Sequence, residues 1–349
     1  MGRRAVGFAG GVYRGIVDTD MVALAHIAVV TPRRCGLYET TRELVAGLRA
    51  AGIDSRIYDP TKAKNKLHPD GDDDRGAVFC DLNWVFRHAD LLVNHSGLGA
   101  ALEECDTPVI QVCHGRPRSS FLLELKGSTP IYSYHHCKNR DPRFQAVITF
   151  WPEHVPYHRV MWPDTPVYCV QPPVDLGFWT PNGPSGYRWG GAGGVVNVIC
   201  TDMWREDIDP FVAVNAFALH ARSNPGWRIH LYGASKNQKG WAPLLKRLQD
   251  DGSLGQVRGM VTGLENVYRA ADLLLTPHVI DTRAVREAMA CGCPVQRVNG
   301  SECTWDALGM DRAFVRSEAE RRFDPARTAE QFLSAIERFT PAEVLNGCV

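Results

Sequence analysis

With 349 residues the chain is longer than one hydrophobic core usually serves, so two domains are expected. Hydrophobic residues make up 44% and charged residues 22%, which excludes a disordered or fibrous chain. Lysine plus arginine equals aspartate plus glutamate, 39 each, so no net field draws the whole protein to nucleic acid or to a membrane surface.

No apolar stretch approaches the roughly 18–20 residues needed to span a bilayer. Residues 1–20 are broken by glycine, arginine and aspartate and lack the apolar core of a secretory signal. Eleven cysteines, an odd number, scatter through strand-like and helix-like segments, so a cytoplasmic, reducing location is expected. Cys291 and Cys293 lie one residue apart and lack the second pair that a zinc site needs, so no metal is expected.

Along the chain, strand, loop and helix alternate. Residues 25–32 predict a buried strand, followed by a loop and a helix over about 39–51. Leu37, Leu44, Val45 and Leu48 form that helix's apolar stripe, and Gly52 stands at its C-terminal cap. Short apolar runs at 55–58, 90–94, 108–113, 146–149 and 167–170 predict further strands. Residues 171–186, rich in proline and glycine, read as the end of the first domain and a linker. A second series begins with a strand at 195–200, then a helix opening at Asp209-Pro210. Strands at 227–233, 257–261 and 271–277 follow, then a helix over 284–290 and one over about 328–339. Strands alternating with helices imply parallel sheets covered on both faces. The expected organisation is a first Rossmann-like domain over 1–172, a linker over 173–190 and a second such domain over 191–327. A C-terminal helix and tail, 328–349, would pack back on the first domain.

In open parallel sheets ligands bind beyond the carboxyl ends of the strands. Three such loops carry small or basic groups near a helix start, where free N–H groups and the helix dipole favour anions. They are Arg33-Arg34-Cys35-Gly36, His114-Gly115-Arg116-Pro117-Arg118, and His278-Val279-Ile280-Asp281-Thr282-Arg283.

Glu287-Ala-Met-Ala-Cys-Gly-Cys-Pro-Val295 resembles the signature of retaining GT-B glycosyltransferases with two glutamates separated by seven residues. Residues 36–44, the strand ending in His114-Gly115, residues 171–179 and residues 270–277 are similar to that family's other segments, in the same order. The resemblance implies two facing Rossmann-like domains and transfer of a sugar, with retention, from a nucleoside diphosphate sugar bound to the C-terminal domain. It places Glu287 on the nucleotide ribose and His114 near the donor sugar. The chain departs from the pattern at Val279, where the first glutamate would fall, and in the phosphate-clasping Arg and Lys, absent at their usual spacing. Asp281 is the candidate for the lost carboxylate. Arg205 and Arg283 are the candidates for the diphosphate, since a planar guanidinium binds phosphate oxygens in pairs.

The expected catalytic set is therefore His114, Asp281 and Arg205. The expected donor-binding set is Gly36, Arg205, His278, Thr282, Arg283 and Glu287. Arg33, Arg34, Arg116 and Arg118 imply an anionic acceptor, such as a phosphorylated sugar, lipid or nucleic acid. The nucleoside diphosphate sugar is a co-substrate, and no cofactor, metal or obligate protein partner is expected. Two other classes stay open: a degraded GT-B protein that only binds sugar nucleotides, and a sugar-nucleotide epimerase of similar fold.

Overall fold

The computed structural model describes residues 22–27, 36–59, 77–79, 82–95, 106–114, 142–184, 187, 189, 194–202, 210–233, 241–299 and 303–339. The first half holds β1 (Val22–Ile27), α1 (Gly36–Ala50), β2 (Ser55–Asp59), β3 (Ala77–Phe79), α2 (Leu82–His88), β4 (Ala89–Asn94), β5 (Val109–Cys113), β6 (Phe144–Thr149), α3 (Val155–Met161) and β7 (Val167–Cys169). Its seven strands pair in parallel in the order β3-β2-β1-β4-β5-β6-β7. The second half holds β8 (Val196–Cys200), α4 (Phe211–Ala221), β9 (Trp227–Leu231), α5 (Ala242–Asp250), β10 (Leu254–Val257), α6 (Leu264–Ala270), β11 (Leu273–Thr276), α7 (Arg283–Ala290), β12 (Val295–Arg297), α8 (Arg312–Phe323) and α9 (Pro325–Ile336). Its five strands are also parallel, in the order β10-β9-β8-β11-β12. The chain is thus an α/β fold of two Rossmann-like domains.

The central strands are buried on both faces. Every residue of β5 and of β11 is buried, which is why they read as largely apolar runs, with Gln111 and Thr276 the buried polar members, rather than as alternation. Helix α1 buries Leu44, Val45 and Leu48. Its end is set by Gly52 at φ 85°, a left-handed conformation that lets the Ile53 N–H return to the Leu48 carbonyl at 3.0 Å.

β1 begins at Val22, three residues before the expected strand, and Pro210 is the N-cap of α4 rather than its first helical residue, with Asp209 outside the described residues; two further elements also differ from expectation. The strand expected at 257–261 is β10, Leu254–Val257, pairing β9 through Leu254–Ile229 and Val257–Leu231; Met260, within the expected span, stands exposed. The helix expected near the C-terminus is preceded by a second, α8, on the second domain. The following helix, α9, lies on the first domain, where Ala329, Phe332, Ala335 and Ile336 join Leu24, Leu44 and Leu48 in one core. Close approach of α9 to α1 depends on Gly47, since a Cβ there would stand 2.4 Å from the Pro325 carbonyl oxygen. The segment leaving the first domain and the one returning to it are paired, with the Val174 N–H donating to the Phe323 carbonyl at 3.0 Å. Among the described residues no helix is long and apolar enough to cross a membrane.

Candidate active site

Strand order reverses between β1 and β4 in the first sheet and between β8 and β11 in the second. Ligands of such sheets bind at the carboxyl edge beside these points, and the expected site residues within the described segments gather there.

Helix α7 organises the second domain's edge. Thr282 caps it, its hydroxyl accepting from the Val285 N–H. Arg283 follows, and its guanidinium reaches across to the first domain, where Nη1 and Nη2 donate to Glu43 Oε2 and Oε1 of α1 at 3.0 and 2.9 Å. Its Nε lies 2.5 Å from Glu287 Oε1, one turn along α7. Glu43 also accepts the Asp175 N–H at 3.1 Å. Burial opposes the charge on Arg283, but Glu43 and Glu287 outweigh it and raise the guanidinium's pKa. Arg286, fully enclosed, donates to Thr40 Oγ1 at 3.2 Å and to the Pro173 carbonyl. Burial, then the neighbouring Arg283, hold Arg286 down to about 10.

Glu287 is buried. Desolvation pushes its carboxyl up to about 7 against the pull of Arg283, with Glu43 adding to the rise. A Cβ on Gly36 would stand 3.6 Å from Arg283 Cδ. The first turns of α1 and α7 therefore converge, bringing two positive dipole ends together.

His278 follows β11 and is buried in a polar cluster. Its Nε2 lies 3.1 Å from Asp202 Oδ1, and Asp202 Oδ2 accepts from the Thr276 hydroxyl at 2.9 Å. Asp281 faces two arginines: Arg297 Nη2 at 2.5 Å on one oxygen and Arg322 on the other. Both of its oxygens are engaged, and it lines an interdomain cavity of about 510 Å³ together with Arg297, Arg322, Phe150 and Gln171. Val279 is 69% exposed, an open apolar side chain where the resembling family carries its first glutamate.

His114, just past β5, is half-buried with its ring against the edge of Phe150. Its Nε2 lies 2.7 Å from His95 Nδ1. Arg33, Arg34, Arg116, Arg118 and Arg205 lie outside the described residues. Among the described residues no group of three or more His, Cys, Asp or Glu side chains is placed to hold a metal ion.

Glu43, Arg286, Asp202, Arg297 and Arg322 belong to this site but were not singled out from the sequence. Glu43 falls within the segment resembling the family's first helix, and that was its only signal. Partners of the others come from distant parts of the chain, as with Arg283 and Glu43, 240 residues apart.

Two parallel α/β sheets meeting at their carboxyl edges, with a late helix returned to the first, form the fold of the GT-B glycosyltransferases. Among solved structures, the chain is similar to Alr3699/HepE of Anabaena in complex with UDP and glucose, at 11% identity and a TM-score of 0.62, over 90% of this chain and 99% of that one. It is likewise similar to sucrose-phosphate synthase of Thermosynechococcus elongatus, at 13% identity and a TM-score of 0.64, over 91% and 99%. WaaG, a glycosyltransferase involved in lipopolysaccharide biosynthesis, matches at 14% identity and a TM-score of 0.53, over 93% and 92%. No protein-family model and no curated protein matches the sequence.

Proposed function

We propose that the protein is a glycosyltransferase that moves a sugar from a nucleoside diphosphate sugar to an anionic acceptor, with retention at the anomeric carbon and without a metal. The observation that supports it best is the convergence of the α1 and α7 starts around Glu287, Arg283 and Glu43. Two helix N-termini offer N–H groups and positive potential to a diphosphate, and Glu287, one turn along α7, offers a carboxylate to ribose hydroxyls. The similar HepE structures hold UDP with glucose, or UDP-glucose, so a uridine diphosphate sugar is the first donor to try.

In this reading the protein acts mainly by stabilising charge on the departing diphosphate. Arg283, tethered between Glu43 and Glu287, is held in one orientation, and Arg205 supplies the second cation. Retention follows in this reading from attack on the face the leaving group departs. His114 contacts the donor sugar. The acceptor's negative charge meets Arg33, Arg34, Arg116 and Arg118 on the first domain. The exposed Val279 supports a second reading, binding of a sugar nucleotide without turnover.

Calorimetry with a panel of nucleoside diphosphate sugars, followed by NMR of anomeric protons during turnover, tests both. One nucleotide class should bind, Glu287→Ala should weaken it by about tenfold, the size of one lost charged hydrogen bond, and the product should keep the donor's anomeric configuration. Binding without transfer or hydrolysis would select the second reading. Failure of every nucleoside diphosphate to bind would overturn both.

A further inference from the structure

Three histidines stand side by side at the carboxyl edge of the first sheet. His26 is in β1, His95 directly follows β4 and His114 directly follows β5, on neighbouring strands of the sheet. His26 Nδ1 lies 2.9 Å from His95 Nε2, and His95 Nδ1 lies 2.7 Å from His114 Nε2. Ring centroids are 5.2 and 5.0 Å apart along the row. The inner end is dry: His26 is fully buried with its ring 6.1 Å from that of Phe332, and its Nε2 has no hydrogen-bond partner among the described residues. The outer end is His114, against Phe150 at the interdomain cavity.

Burial keeps the row uncharged. It takes His26 down to about 3, with Arg49 adding to the effect, and His114 down to about 3, with Arg286 adding to it. His95 is held well below the ordinary histidine range by burial and by its two histidine neighbours. A neutral imidazole carries one N–H, so two hydrogen bonds in a row leave only two arrangements of the three protons. Either every Nδ1 carries the proton, leaving a bare lone pair on His26 Nε2, or every Nε2 carries it, leaving a buried unpaired N–H there. Orphaned buried N–H groups are the rarer of the two in folded proteins. The first arrangement is therefore favoured, and it leaves His114 Nδ1–H as a donor with no partner among the described residues.

We propose that His26 and His95 are positioning residues that lock His114 in one tautomer, with its Nδ1–H as the single donor offered to an oxygen of the bound sugar nucleotide. This rests on the transferase reading above, because only there does His114 face a sugar. The row is not a route for charge, since among the described residues His26 Nε2 has no partner to pass a proton to. Its effect is that the hydrogen-bonding sense of His114 is dictated from the far side of the sheet.

The test uses full-length 15N-labelled protein without ligand, reading two-bond ring correlations between pH about 5.5 and 8, the range where an ordinary histidine titrates. Three neutral Nδ1–H rings that do not titrate are expected. An Nε2–H tautomer at His114, or its conversion to imidazolium in that range, would overturn the proposal. A second arm compares His95→Phe, which removes the ring partner of the part-buried His114 Nε2, with His95→Asn, whose amide reaches the position of Nδ1. In the phenylalanine variant the His114 tautomers should mix and kcat should fall about two- to tenfold, within the scale of one lost hydrogen bond, with donor KM little changed. Asparagine should restore both readouts. Wild-type turnover and a single His114 tautomer in His95→Phe would refute the coupling. If that variant does not fold, the wild-type and asparagine spectra decide. Absence of any donor binding alongside the expected spectra would instead count against the transferase reading, leaving the locked row intact.

Discussion

Replacing Glu287 with glutamine should stabilise the protein above neutral pH while weakening donor binding. The carboxyl is 7% exposed and sits at about 7, raised from an ordinary value of 4.5 chiefly by burial. Between those two values the unfolded chain is ionised while the folded one keeps its proton. Stability therefore falls as pH rises through the window and levels off above about 7. The separation corresponds to about 3 kcal/mol against the ionised form. Glutamine has the same shape and never ionises, so it escapes that loss. The pull of Arg283 is already contained in the value of about 7, so the advantage of glutamine at pH about 8 is that same ~3 kcal/mol. At pH about 3 and below, where the carboxyl is neutral in both states, the advantage should vanish. Urea unfolding of both proteins at the two pH values measures the difference. A glutamine variant less stable than wild type at pH 8 would show that Arg283 outweighs burial, refuting the reasoning. The donor side has its own signature. Ribose hydroxyls donate best to an ionised carboxylate, so donor binding near pH 7 should release a proton, seen by calorimetry in buffers of different ionisation enthalpy.

Glu43→Gln removes one charge of the interdomain pair and should cost about 3 kcal/mol of stability. It also removes an influence that raises Glu287, so the pH midpoint of donor binding should move down in a binding titration. Arg283→Ala should lower turnover about a hundredfold, the usual effect of losing one electrostatic contact to a leaving group; near-normal single-turnover rates would exclude it from that role. Gly47→Ala forces a Cβ against the Pro325 carbonyl and should destabilise by about 1–3 kcal/mol through displacement of α9, measured by thermal unfolding. The double variant Arg116→Ala/Arg118→Ala should raise the acceptor's KM and flatten its salt dependence with donor affinity unchanged, since salt at 0.1 M screens attraction between charges over about 10 Å.

What could be read in advance followed from short-range rules. The runs at β4, β5 and β11 place apolar residues side by side because both faces are covered, and Gly52 marks the end of α1 through its left-handed backbone. Helix α8 escaped because its arginines and glutamates interrupt any apolar stripe and Phe314 points outward, 52% exposed. In β10, Leu254-Gly-Gln-Val offers two apolar residues and no alternation, so its register depends on β9 alone. Within the site, Glu287 was marked by its surrounding segment. Glu43 looked like any charged residue on a helix until the fold set Arg283 against it. The histidine row was hidden more deeply, because β1 and β4 are neighbours in space while 69 residues separate His26 from His95. Asp281 was expected to face the sugar; its two arginine partners, Arg297 and Arg322, come from β12 and α8, which no local pattern links to it.

The packing of α9 against α1 has a bearing on how the chain is made. One face of the first sheet, with Leu24, Leu44 and Leu48, is covered by Ala329, Phe332 and Ile336. These cores cannot meet until translation has passed the whole second domain, a delay of roughly 150 residues, or about 8–30 s at ordinary elongation rates. Throughout that interval the nascent first domain carries an uncovered apolar face, and its native state is reached only after the younger domain has emerged. Folding on the ribosome should therefore run against the order of synthesis, and a chaperone that holds apolar surface would be needed most during that wait.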